Sequence, residues 1–178
     1  MYNCPMVEKP LEVLVGELLR SCGWRLAVAE SCTGGLVGHR LTNVPGSSDY
    51  FWGGAIAYAN EAKQHLLGVH PHTLESFGAV SQQAALEMAR GIRQALSVDI
   101  GLSVTGIAGP GGGTTGKPVG LTWIGLSAPD GDDSWQHIWH GGRIFNKQHS
   151  AQAALQHLID YLQAHQPNKP EETGIMSP

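Results

Sequence analysis

The chain has 178 residues, the size of one ordinary domain and too few for two well-cored enzymatic ones. It is 42% hydrophobic and 15% charged, which excludes a disordered polyelectrolyte. Eleven Lys and Arg against fifteen Asp and Glu leave a net charge of -4, so the basic surplus of a nucleic-acid domain is missing.

In chain order, Leu11, Leu14, Val15, Leu18, Leu19 and Cys22 recur at helical spacing between Pro10 and Gly23 and predict a helix over 11–22. Residues 24–30 alternate as a strand and lead into Ser31-Cys32-Thr33-Gly34-Gly35 and a helix, LVGHRL. A second strand is expected over 51–58, then a helix capped by Asn60 and closed by Gly68. Ser81 caps a helix over about 82–97, whose Ala85, Ala89, Ile92 and Leu96 form an apolar stripe. A strand ends at Thr105, and residues 106–117, with six glycines, form a loop. Strands over 118–127 and 134–140, paired around Asp130-Gly131, precede a last helix over 147–164. This order predicts an α/β fold, a single domain over 1–165 with helices on both faces of a mixed sheet. Three prolines and little apolar content assign 166–178 to a disordered tail.

No apolar run reaches the roughly 18 residues that cross a bilayer. The first residues lack the basic, apolar, small order of a signal peptide. Cys4, Cys22 and Cys32 are an odd count without C-x-x-C spacing, as for reduced thiols. A cytoplasmic protein without membrane or nucleic-acid partners is expected.

Three segments follow strand ends, where open α/β sheets place their sites. The first puts Ser31 on a strand-to-helix turn. Either Ser31 or Thr33 caps the helix, or successive amides there hold an anion or a developing oxyanion. In the second, Lys63 falls at the third helical position if Asn60 is the cap, where the helix dipole disfavours an ammonium. A lysine so placed can deprotonate a serine, with Tyr58 in reach of either group, or it is simply solvated. The third is the glycine loop. Gly111 to Lys117 spells G-x-x-x-x-G-K, but Pro118 follows and a strand replaces the helix, so no triphosphate loop is expected. Gly111, Gly113 and Gly116 also fit G-x-G-x-x-G without a following helix. What is left is a loop of exposed amides beside Thr105, suited to phosphate or carboxylate, or a long surface turn. The nine histidines lack metal-ligand spacing, so no metal site is expected. Cys32 is a rival nucleophile beside Ser31 or a small packing residue.

Together, AESCTGGLVGHRLTNVPGSS, YFWGGAIAYANEAKQHLLGV, GAVSQQAALEMARG and VTGIAGPGGGTTGKPVGLTWIGL resemble the C-terminal domain family of the competence/damage-inducible protein CinA, from about Leu14 to Leu162. The resemblance implies a three-layer α/β/α sandwich, usually dimeric, in a stand-alone form without the larger N-terminal domain of some members. It implies a nicotinamide-nucleotide amidohydrolase that converts nicotinamide mononucleotide to the acid and ammonia, without metal or other cofactor. Position by position it gives Ser31 as nucleophile, Lys63 as base and Tyr58 as the tyrosine supporting it. Amides around Cys32, Thr33, Gly34 and Gly35 would hold the oxyanion. Thr105, Gly106, Gly109 and Gly111 would line the pocket, and Arg143 would lie near the ribose phosphate. Gly142 replaces a common aspartate, and Lys147 keeps the charge of an expected arginine without its fork of donors. A non-catalytic nucleotide-binding module of the same fold is the alternative, and a hydrolase for a related amide a third reading.

Overall fold

A computed structural model describes residues 9–166. In chain order they form α1 (Leu11–Cys22), β1 (Leu26–Glu30), α2 (Leu36–Thr42), a 3-10 turn, β2 (Phe51–Ile56), α3 (Asn60–Leu67), α4 (Pro71–Ser76), α5 (Gln82–Ala95), β3 (Ile100–Gly106), β4 (Leu121–Ala128), β5 (Gly131–Ile138) and α6 (Arg143–Ala164). The five strands make one sheet in the order β2-β1-β3-β4-β5. β2, β1 and β3 run parallel, while β4 and β5 are antiparallel, so the sheet is mixed. No helix among the described residues is long and apolar enough to cross a membrane. From residue 167 on, the expected tail lies outside the described residues, as does Cys4.

Alternation along β1 separates two cores. Leu26 and Val28 join Leu102, Val104, Leu126, Leu155 and Leu158 under α1, α2 and α6. Ala27 and Ala29 face the other way, against Leu67, Met88 and Ile92 of α3 and α5. The second face is made of small residues so that α5 can lie close. A Cβ on Gly101 would stand 2.1 Å from the Ala89 carbonyl oxygen, and one on Gly125 would stand 2.5 Å from that of Ala85. Between them, Ser103 donates its hydroxyl to Ala85 O at 2.6 Å.

Several boundaries differ from those read in the sequence. β1 begins at Leu26 because the Trp24 amide still bonds back to Leu19 O at 3.0 Å, closing α1. β4 begins at Leu121, since Leu121 N bonds Pro118 O in a turn. β5 begins at Gly131, paired with Ala128 across a two-residue corner of Pro129 and Asp130. α5 stops at Ala95, just before Ser97 takes a left-handed φ of 49°. α6 starts at Arg143 rather than 147, and the six-residue α4 is additional.

On the outer side of β5, Nε2 of His137 lies 2.9 Å from Nε2 of His157. Each ring is also stacked, His157 on Trp135 at 4.3 Å and His137 on Trp139 at 4.9 Å. Burial holds both imidazoles below their usual range, and the mutual charge lowers His157 further. The folded chain therefore stays neutral there while the unfolded chain takes up protons near pH 6.5. The contribution is complete above the unfolded value and is lost as pH falls below it. His157→Phe, which keeps a ring against Trp135, is expected to show a shallower fall of Tm between about pH 7 and 5 than wild type. Equal slopes in thermal melts would refute the assignment.

Candidate active site

The parallel strands β2, β1 and β3 end on the same side of the sheet, and the three segments singled out in the sequence leave from those ends. Ser31 follows β1 directly. Its amide is held by Val104 O at 2.9 Å, and its carbonyl accepts from Gly34 N at 3.2 Å, closing a tight turn. Gly34 and Gly35 take φ of 64° and 95°, which favour glycine.

The residue that shapes this turn is Glu30, which sequence reasoning missed. It is 2% exposed. Its carboxylate accepts from Gly35 N at 2.9 Å, Val37 N at 3.2 Å and Gly38 N at 2.8 Å. The N-cap of α2, Gly35, has no side chain to offer, and neither Ser31 nor Thr33 makes a capping bond. Glu30 does that work from the strand end. The amides of Gly34 and Gly35 are thus committed inside the protein, a correction to the span of amides expected to receive an oxyanion. Those of Cys32 and Thr33 have no acceptor among the described residues.

Lys63 reaches Ser31 from α3. The N-cap of α3 is Ala59, not Asn60, and makes no side-chain capping bond, so Lys63 stands at the fourth helical position rather than the third. The side chain runs inward and is 1% exposed. Nζ lies 3.2 Å from Ser31 Oγ, 2.8 Å from Ala57 O and 3.2 Å from Tyr58 O. Burial lowers the lysine from its ordinary value, and no carboxylate is paired with it among the described residues. The two carbonyls take two N–H bonds. A neutral amine then has its lone pair directed at the serine hydroxyl, the arrangement a general base requires.

The thiol of Cys32 is buried against Gly106 in the core beneath α1 and α6, and burial pushes its pKa up to about 12. A thiol held protonated at neutral pH is a poor nucleophile.

A cavity of about 220 Å³ brings together Ser31, Tyr58, Lys63, Thr105, Gly106 and Arg143, with Cys32 also in its wall. Tyr58 is present by two different atoms. Its carbonyl accepts from Lys63, whereas its phenol oxygen accepts from Arg143 Nη2 at 3.0 Å rather than meeting Lys63 or Ser31. Arg143 also donates from Nη1 to Gly109 O at 2.8 Å, so it ties the glycine loop to the end of β2 across the cavity mouth. Asn146, another residue sequence reasoning missed, anchors the loop from α6 through Nδ2 to Ala108 O at 3.1 Å. The Thr105 hydroxyl is donated to Ala79 O at 2.8 Å and holds the 78–80 loop as a further wall.

Other expected site residues lie elsewhere. Thr33, Gly34 and Gly35 wall a second cavity on the far side of the turn. Gly109 offers its carbonyl to Arg143, and Gly111 is exposed with no close neighbour for an added Cβ. Lys117, the end of the G-x-x-x-x-G-K string, donates to Phe77 O at 2.5 Å, closing the end of α4 rather than facing a phosphate. Among the described residues no three His, Cys, Asp or Glu side chains gather as metal ligands.

The family model of the CinA C-terminal domain matches residues 8–162. A CinA-like protein of Synechocystis sp. is 50% identical over 160 residues, covering 88% of this chain and 38% of its own length. A CinA-like protein of Nostoc sp. is 60% identical over 123 residues, 69% of this chain and 29% of its own length. The chain therefore spans well under half of these curated relatives. Among solved structures, the competence damage-inducible protein A (ComA) of Klebsiella pneumoniae superposes with a TM-score of 0.84 at 32% identity, over 88% of this chain and 97% of that one. The competence/damage inducible protein CihA of Agrobacterium tumefaciens gives 0.79 at 38% identity, over 92% and 99%.

Proposed function

The chain belongs to the CinA C-terminal domain family, and from that premise we propose that it is an amidohydrolase acting on the carboxamide of a pyridine nucleotide, nicotinamide mononucleotide. The observation that carries the reading is the buried Lys63 Nζ at 3.2 Å from Ser31 Oγ, with two carbonyls occupying its other hydrogen bonds.

In this reading Lys63 removes the proton of Ser31 as Oγ attacks the amide carbon. The free amide of Cys32, which borders the cavity, receives the charge that develops on the carbonyl oxygen. Collapse breaks the C–N bond, and Lys63 returns the proton so that nitrogen leaves as ammonia. A water molecule, deprotonated by the same amine, then hydrolyses the acyl-serine ester and releases nicotinate mononucleotide. Tyr58 and Arg143 position the mouth of the site. They act as a pair, since the phenol is committed to the guanidinium and not to the lysine.

The test is ammonia release from nicotinamide mononucleotide by the purified chain, together with mass spectrometry of acid-quenched enzyme. The expected result is equimolar ammonia and nicotinate mononucleotide, with a transient acyl adduct on the peptide containing Ser31. Tight binding of the nucleotide without ammonia release would favour the non-catalytic module. An adduct on Cys32 would overturn the assigned nucleophile.

A further inference from the structure

At the end of the sheet away from Ser31, the carboxyl end of α5 and the last residues of β4 enclose a cavity of about 350 Å³. Its wall is Arg90, Arg93, Gln94, Ser97, Val98 and Ser127, none of which lines the cavity of Ser31 and Lys63. Ser127 pairs with Gly101 near the start of β3, whereas Thr122 pairs with Gly106 at the serine end. Five residues of β4 separate the two ends, about 17 Å. We infer that this remote cavity is a second binding site, for a phosphate group, with Arg93 and Ser127 as its principal contacts.

The wall carries two guanidinium groups and no carboxylate. Arg93 is half-buried and forms no ion pair among the described residues. It donates from Nη1 to Ala128 O at 2.7 Å, a bond that orders the side chain between α5 and β4. Nε and Nη2, the parallel donors of its other edge, have no partner among the described residues, and such a fork matches two oxygens of a phosphate. Arg90 bonds Asp132 through Nε, so its charge is offset while that of Arg93 is not. The helix dipole opposes an anion at the carboxyl end of α5. That pole is blunted, because the amides of Leu96, Ser97 and Val98 turn back onto the carbonyls of Ile92, Gln94 and Arg93 at 3.1 to 3.2 Å.

A second observation is independent of charge. Ser127 is 2% exposed and lines this cavity, and its hydroxyl has no hydrogen-bond partner among the described residues. Ser103, on the same face of the sheet, donates its hydroxyl to α5 at Ala85 O, so packing under that helix does not of itself strand a serine. A buried hydroxyl left unpaired is costly, and a ligand oxygen in the cavity would accept from it. The strand opposite leaves room for one. Gly101, which pairs with Ser127, has no side chain, and a Cβ there would stand 2.8 Å from that of Arg93. The unpaired guanidinium edge and the unpaired hydroxyl thus come from neighbouring positions on α5 and β4, and a phosphate between them would tie the two elements together.

The test titrates inorganic phosphate and ribose 5-phosphate into wild type, Arg93→Gln, Arg93→Lys, Ser127→Ala and Ser31→Ala, read by calorimetry and as Tm with ionic strength held constant by sodium chloride. In wild type, phosphate is expected to raise Tm above the chloride control. Arg93→Gln should weaken binding by about tenfold or more, and Arg93→Lys, which keeps the charge without the fork, should recover part of the loss. Ser127→Ala should weaken it less, and Ser31→Ala should leave it intact, since the two cavities are separate. Ribose 5-phosphate bound at least as tightly as the free ion would identify a phosphate ester as the occupant, and tighter binding of inorganic phosphate would identify the ion itself. A phosphate effect undiminished in both Arg93→Gln and Ser127→Ala, or absent from wild type, would overturn the site. Ser127→Ala decides the matter if Arg93→Gln, deprived of its bond to Ala128 O, does not fold.

Discussion

Ser31→Ala and Lys63→Met are each expected to abolish ammonia release, by roughly four orders of magnitude or more in kcat, and the double variant to lose nothing further. The reason is geometric. Among the described residues the serine has no other base in contact and the amine no other hydroxyl, so each is inert without its partner. Non-additivity of this size separates a reacting pair from two residues that merely line a cavity. The pH profile gives the sign of the lysine's role. Because the amine must be neutral to accept the proton, kcat/KM should rise with pH through the lysine's depressed pKa. A profile flat between pH 6 and 9 would sink the assignment of Lys63 as base. Stability should move far less than activity. Lys63→Met strips a donor from the Ala57 and Tyr58 carbonyls but also removes the cost of burying an amine.

The second large effect is expected far from the chemistry. A Cβ on Gly91 of α5 would lie 1.8 Å from the carbonyl oxygen of Leu67 and 2.6 Å from its carbon, both backbone atoms. No rotamer change relieves such a clash, so Gly91→Ala must push α3 away from α5. A destabilisation of about 3 kcal/mol or more follows, or roughly 6–12 °C in Tm for a domain of this size. Activity should fall with it, because Val69 N bonds the carbonyl of Lys63 at 3.1 Å and the displaced end of α3 is tied to the base. A melt within a degree of wild type would show that the two helices are not held as closely as described.

Most of this architecture could be read from the chain because its punctuation is local. Pro10, Gly23, Gly68 and Ser81 mark helix ends by their own backbone preferences, and the alternation in 24–30 and 100–104 marks two strands, which the structure buries on both faces. The parts that escaped depend on contacts distant in sequence or on segments too short to carry a period. α4 has six residues, too few to show a stripe. The start of α6 presents Ile144 and Phe145 outward and buries Asn146, the reverse of an ordinary amphipathic turn. Ser31 and Lys63 were recognisable as residues, but their contact depends on β1 and β2 lying side by side, which spacing alone does not specify. Glu30 had a faint signal, an acid ending an apolar strand before a helix whose entry residues are glycines. The separation of Thr33, Gly34 and Gly35 from the serine cavity was invisible, because a turn has two sides and the sequence does not say which one is filled.

The carboxylate of Glu30 also bears on when the active geometry is acquired. It fastens the amides of Gly35, Val37 and Gly38 from within the fold. The turn that carries the serine is therefore held by the protein's own groups, and its ordering entropy is lost once, when the chain folds, instead of at each encounter with substrate.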